Sequence, residues 1–296
     1  MGAIDAFTEA FSLVIKNKKL YLLVLLMSLI MAPLGAYLIP SDIGYEYNQT
    51  SMQRGNVIIE EYGTPIGEDT MDMLVEILKG LAIYSVVAII VGAIFEYGVT
   101  KGIFMQIEGK EYSLAGILME GLRHFPGVIL INFIYGLIMI VFIAVAAIPI
   151  VLGVIMMPAG IVLVFLGLLL MLGVLAFTLG LSTLAIPFYV DRGNVGAAFE
   201  AFGVAFRNVL STTGFGVLLG VGVLAIITVA SPIAFVAQMA LPENVAPYVS
   251  AFLQAPFDAL LYMFVWAGGV AFYREIQRME ELKKVDEELA ELGIEI

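Results

Sequence analysis

Between residues 125 and 190 the chain carries no Asp, Glu, Lys or Arg. No other feature limits the fold so severely. An apolar run of 18 or more residues is long enough to cross a bilayer, and this one would extend roughly 100 Å as a continuous helix. It must therefore hold more than one crossing of a hydrocarbon core about 30 Å thick. The remainder follows the same pattern: of 296 residues 61% are apolar and 14% charged, against about 25% charged in a soluble domain. The chain reads as an all-α membrane protein with six transmembrane helices, near residues 20–39, 78–107, 127–151, 159–187, 212–237 and 248–272.

Orientation follows from the basic residues, which gather on the cytoplasmic side. With the N-terminus inside, all of the 14 Lys and Arg except Arg54 and Lys79 fall on the inner side. Three crossings within the uncharged stretch would turn Arg192 and Arg207 outward, so two long helices are expected there, with Pro149 and Pro158 bracketing an outer turn. The result is a multi-pass protein of the cell membrane with both termini cytoplasmic. A membrane domain spans 1–273, with an outer loop at 40–73, and a cytoplasmic C-terminal helix occupies 274–296. The net charge of −12 comes largely from that loop and that tail. Asn48-Gln49-Thr50 is an N-glycosylation pattern on the predicted outer side. No basic stripe or recognition motif points to nucleic acid.

One phrase occurs twice. EAFSLVIKN at 9–17 returns as EAFGVAFRN at 200–208, so that Glu9 falls on Glu200, Lys16 on Arg207 and Asn17 on Asn208. Each copy has a phenylalanine-rich stripe, an early acid and a late base, which suits the helix macrodipole. SLAGILMEGLRH at 113–124 fits between them, with Ser113 as N-cap, Arg123 in the late basic place, and Pro126 separating it from the third span. The chain is thus predicted to be three hairpin repeats, each preceded by a short amphipathic cytoplasmic helix resting in the inner interface.

Residues 98–125, GVTKGIFMQIEGKEYSLAGILMEGLRHF, and residues 187–208, PFYVDRGNVGAAFEAFGVAFRN, resemble two junctions of a broad group of prokaryotic six-helix membrane proteins. These include the membrane domain attached to some glycerophosphodiester phosphodiesterases and the YciC-like proteins of unknown function. The resemblance implies an integral membrane protein without an assigned reaction. The hydrolase part of the fused enzymes is absent from this chain, so their activity does not carry over.

Chemistry-bearing motifs are sparse. There is no cysteine and one histidine, His124, which gives neither a metal ligand set nor a cofactor site. No G-x-S-x-G or phosphate-loop pattern occurs in a fitting context, and Asp258 lacks the second aspartate an intramembrane protease needs. No enzyme activity is expected. Ionisable residues inside spans are functional candidates by default: Glu96, Lys101 and Asp258 qualify, with Asn132 as a neutral companion. Glu96 has two readings: a structural pairing with Lys101 or Arg207, or a proton- or cation-linked site. Gly160, Gly167, Gly173 and Gly180 suggest one packed face on span four, and Gly98–Gly102 and Gly216–Gly220 are G-x-x-x-G pairs. In the tail Glu280 and Lys284 stand i, i+4, and Leu282, Val285, Leu289 and Leu292 form a short stripe. These features predict a non-enzymatic protein that organises lipid or a membrane complex. Its expected partners are membrane lipids and a second copy, or another protein held through the C-terminal helix. The alternative is a small-solute or ion permease using Glu96.

Overall fold

The computed structural model describes residues 2–39, 51–54, 57–60, 68–242 and 244–291. In chain order, α1 (Gly2–Lys16) and α2 (Lys18–Leu38) are followed by two antiparallel strands, β1 (Ser51–Arg54) and β2 (Val57–Glu60). Then come α3 (Glu68–Ile107), α4 (Leu114–Ile155), α5 (Ile161–Arg192), a 3-10 turn (Val195–Phe199), α6 (Glu200–Arg207), α7 (Val209–Ala240) and α8 (Ala246–Glu291). Helices α2, α3, α4, α5, α7 and α8 are each long and apolar enough to cross a membrane, which makes this a multi-pass membrane protein. The uncharged stretch is divided between α4 and α5, and their connecting turn lies after Pro149, which sits inside α4. The Asn48 pattern and Leu292 lie outside the described residues.

Helix α8 forms the axis of the bundle. Of its most apolar stretch 61% is buried by other parts of the chain, against 11–28% for the other five spans. Met263, Phe264, Ala267, Val270 and Ala271 are all closed off, and Phe272 stacks on Phe215 of α7 with centroids 4.3 Å apart. The helix passes residue 273 without a break, so the tail to Glu291 continues the sixth span.

The neighbouring spans approach closely through glycine. A Cβ on Gly216 of α7 would overlap the Ala176 carbonyl oxygen of α5, and one on Gly180 would overlap the Thr212 carbonyl oxygen. Small residues let backbones meet where no hydrophobic drive separates helix from lipid. The glycine series on α5 does not serve a single face. Gly160 and Gly167 meet α4, Gly180 meets α7, and Gly173 has open space beside it.

Ser113 caps α4 as expected, its Oγ accepting from the Gly116 N–H at 3.0 Å. The separate middle helix does not exist, however: α4 runs unbroken through Pro126. Proline removes one helical hydrogen bond without forcing a stop. Here α3 clamps the first turns of α4, with Gly121 against the Ile94 carbonyl and Gly98 against the Ile117 carbonyl.

The two ends of the repeated phrase do share a local geometry. Asn17 and Asn208 each stand between two helices. Asn17 Nδ2 donates to the Leu13 carbonyl at 2.7 Å, and Asn208 Nδ2 donates to the Val204 carbonyl at 3.0 Å. Ala6, Ala10 and Leu13 are buried, as are Ala197, Ala201 and Val204. The alanine side of each helix faces the bundle, while Phe11 and Phe206 remain exposed.

Candidate functional site

Polar side chains collect in three places. The first lies between α3, α4, α5 and α8. Glu96 on α3 is half-buried and accepts a 2.8 Å hydrogen bond from Asn132 Nδ2 on α4. Neither Lys101 nor Arg207 takes that role. Lys101 lies more than a turn along α3 and Arg207 is engaged elsewhere. The pair borders a cavity of about 150 Å³, whose wall includes Thr100, Ser182, Thr183 and Trp266. Thr100 follows Glu96 by four positions and so shares its helix face.

The second place is a cavity of about 140 Å³ between α2, α3 and α8, bordered by Asp258, Tyr84, Tyr262 and Ser28. Ser28 is buried and its hydroxyl has no hydrogen-bond partner among the described residues. Asp258 does not join Glu96: the two carboxylates border separate cavities. Tyr262 from one and Trp266 from the other stack with centroids 5.5 Å apart. Asp258, Tyr262 and Trp266 recur at intervals of four along α8, a spacing visible in the sequence although only Asp258 was singled out from it.

The third place is the end of the bundle where α1, the α3–α4 turn, α6 and the α8 tail meet. Two of its ion pairs join parts of the chain remote in sequence. Glu9 of α1 accepts from Arg274 of α8. Arg207 of α6 meets Glu280 of α8 at 2.8 Å, so Glu280 is committed there and not to Lys284. Glu200 accepts from Arg192 across the 3-10 turn. Lys283 Nζ donates to Asn208 Oδ1 at 2.8 Å, and the Tyr273 hydroxyl donates to Asp191 at 2.6 Å. Arg123 pairs locally with Glu120 at 3.2 Å. His124 stacks on Tyr97 with centroids 4.3 Å apart, its Nδ1 2.9 Å from the Glu120 carbonyl oxygen. These α8 partners could not be read from composition, because each pairing depends on how α8 threads past α1 and α6.

A basic cavity of about 550 Å³ opens at this same end, between the α1–α2 junction and the α3–α4 turn. Lys16, Lys18, Lys19 and Lys110 border it. The Lys16 carbonyl accepts from Gln106 Nε2 at 3.3 Å, which ties the junction to α3. Lys110 also reaches Glu108 at 2.5 Å, and the hydrogen bond and charge of that ammonium hold the Glu108 carboxyl below its ordinary range.

The arrangement offers one amide-paired carboxylate in the spans and a cluster of ammonium groups at the rim. No protein-family model, curated protein or solved structure matches the chain.

Proposed function

We propose that the protein is a non-enzymatic protein of the cell membrane that organises lipid or a membrane complex, with both termini in the cytoplasm. The observation that carries this reading is the outer part of the α4–α5 hairpin. Between residues 137 and 175 the two helices bury little beyond the contact they make with each other. Ile140, Val145, Val151, Phe165, Leu168 and Leu172 are all exposed. In a bilayer such a surface is solvated by acyl chains or by the helices of another membrane protein.

The short helices support the same reading. An alanine side buried on the bundle and the exposed rings of Phe11 and Phe206 suit a helix resting at the bilayer interface. The matched burial and matched asparagine bonds at Asn17 and Asn208 support treating the first and last hairpins as copies of one unit. The middle hairpin, whose leading segment is fused into α4, supports threefold repetition less directly. The reading also agrees with the resemblance to six-helix membrane proteins that lack an assigned reaction.

A small-solute or ion permease using Glu96 is the second reading. The pairing of Glu96 with Asn132 beside a polar cavity favours it. It stands second because that cavity has room for only a few waters, and the Tyr262–Trp266 stack lies between it and the Asp258 cavity.

The sequence contains no cysteine, so single-cysteine variants report cleanly. Ser12→Cys, Ser113→Cys and Asn194→Cys are expected to resist a membrane-impermeant maleimide applied outside intact cells. A spin label on Leu168→Cys in vesicles is expected to be more accessible to oxygen than to an aqueous nickel chelate. External labelling of all three cysteines would reverse the topology. Greater nickel accessibility at residue 168 would remove the lipid-facing hairpin and the reading built on it.

A further inference from the structure

We infer that the basic cavity at the α1–α2 junction binds the headgroup of an anionic phospholipid, one whose phosphate carries a further hydroxyl-bearing group, as in phosphatidylglycerol. The inference rests on the lipid-organising reading and adds the headgroup chemistry to it.

Three observations converge on the cavity. Lys16, Lys18, Lys19 and Lys110 border it, with Glu111 as the one acid on its wall. Among the described residues, Lys16, Lys18 and Lys19 have no carboxylate within 4.0 Å. Lysines at the ends of two membrane helices lie at the depth of lipid phosphates and attract anionic headgroups.

The cavity also meets the start of α2, where Asn17 makes no side-chain cap. The first backbone N–H groups of a helix have no acceptor within it, and they favour an anion.

Asn17 supplies the third observation. It lies on the cavity wall and is only 1% exposed, yet its Oδ1 has no hydrogen-bond partner. The Leu13 carbonyl can only accept, so Nδ2 is committed to it and the orphan atom is an acceptor. A buried acceptor without a donor is costly. The matching residue at the other end of the repeat shows what such an atom takes: Asn208 Oδ1 accepts from the Lys283 ammonium. At Asn17 no group of the chain occupies that place among the described residues. Beside four ammonium groups a phosphate monoester is held as its dianion, which satisfies the lysines and the helix start but has no donor to offer Asn17. A phosphodiester that ends in a hydroxyl offers both.

The test uses the full chain in detergent, with binding followed by native mass spectrometry. Phosphatidylglycerol is compared with phosphatidate, phosphatidylethanolamine, phosphatidylcholine and free sn-glycerol 3-phosphate. Phosphatidylglycerol is expected to bind about tenfold or more tightly than phosphatidylcholine, and the double variant Lys18→Gln/Lys19→Gln is expected to erase that difference. Asn17→Ala is expected to remove the preference for phosphatidylglycerol over phosphatidate while lysine-dependent binding persists. If Asn17→Ala does not fold, Lys110→Gln in the wild-type background must still weaken phosphatidylglycerol binding, or the site is wrong. Equal binding of phosphatidylglycerol and phosphatidylcholine overturns the proposal, as does an unaffected double variant. Preference for phosphatidylethanolamine overturns the hydroxyl assignment, and equal affinity for sn-glycerol 3-phosphate overturns the lipid source. Each of these failures leaves the oxygen accessibility at residue 168 untouched, so it is distinguishable from failure of the broader reading.

Discussion

Gly216→Ala is expected to destabilise the protein by about 2–3 kcal/mol, the upper part of the range for forcing an extra methyl into a packed interior. The sign opposes helix propensity, because alanine in mid-helix is ordinarily better than glycine by roughly 0.5–1 kcal/mol. It reverses here because the added Cβ would overlap the Ala176 carbonyl oxygen. That atom belongs to the backbone of α5 and cannot rotate away. The seam between α5 and α7 would have to open along its length, which would also disturb Gly180 where it faces the Thr212 carbonyl. Two other positions calibrate the effect. Gly220, the partner of Gly216 in the G-x-x-x-G pair, faces only the end of Leu179 at 3.6 Å, and Gly173 has nothing within 4 Å. Alanine at either should leave stability within about 0.5 kcal/mol or raise it slightly. Thermal unfolding in detergent checks all three, and equal midpoints for Gly216→Ala and Gly220→Ala would show that α5 and α7 do not meet as described.

Glu96 carries the second large effect. Glu96→Leu removes the acceptor of the Asn132 amide and places an alkyl group beside Thr100, Ser182 and Thr183. A polar group left without its partner costs about 1–3 kcal/mol, so the unfolding midpoint should fall. Glu96→Gln keeps an acceptor for Asn132 and should stay within about 1 kcal/mol of the parent. The pair of variants also separates the two functional readings. In a lipid-organising protein Glu96→Gln is expected to be silent in every assay. In a permease the same variant would abolish a pH-dependent flux into proteoliposomes while the midpoint stays in place. Equal loss of stability in both variants would mean that the carboxylate's charge matters, and that the amide alone does not hold it.

The spans were legible in the sequence because hydrocarbon imposes a one-dimensional rule. A segment without charge must cross, and the basic residues decided between two and three crossings in the uncharged stretch. Ser113 was legible for a similar reason, since capping is a local matter of one side chain and the next turn. Pro126 misled because a proline is read from sequence as a stop, whereas in the bundle the clamp by α3 keeps the helix in line. The face of α1 and α6 that meets the core was hidden as well. Hydropathy picks out the phenylalanines, but close packing selects the alanines behind them. Glu96 was visible as a costly residue and Asn132 as a polar companion, but the bond between them was not, because a basic partner was expected. Asn132 is one of several polar side chains within reach of any helix face, and only the crossing of α3 and α4 selects it. Asn17 and Asn208 were visible as the end of a repeated phrase. Their meaning lay in what fills the acceptor at each copy, which depends on the path of α8.

That path has a consequence for biogenesis. Chains enter the membrane from the N-terminal end as they are made, at roughly 5–20 residues per second. Here the helix at the centre of the bundle is the last of the described helices to emerge from the ribosome. Until it arrives, α2 lacks its main neighbour, although Leu20 already meets Gly102 of α3, and Glu9 lacks Arg274. The earlier spans can already pair, α3 on α4 and α5 on α7, and assembly ends with α8 entering among elements already placed. Contacts that join the two ends of a chain are slow to form. A nascent protein of this design is therefore exposed to membrane quality control for most of its synthesis and escapes it only with the final helix.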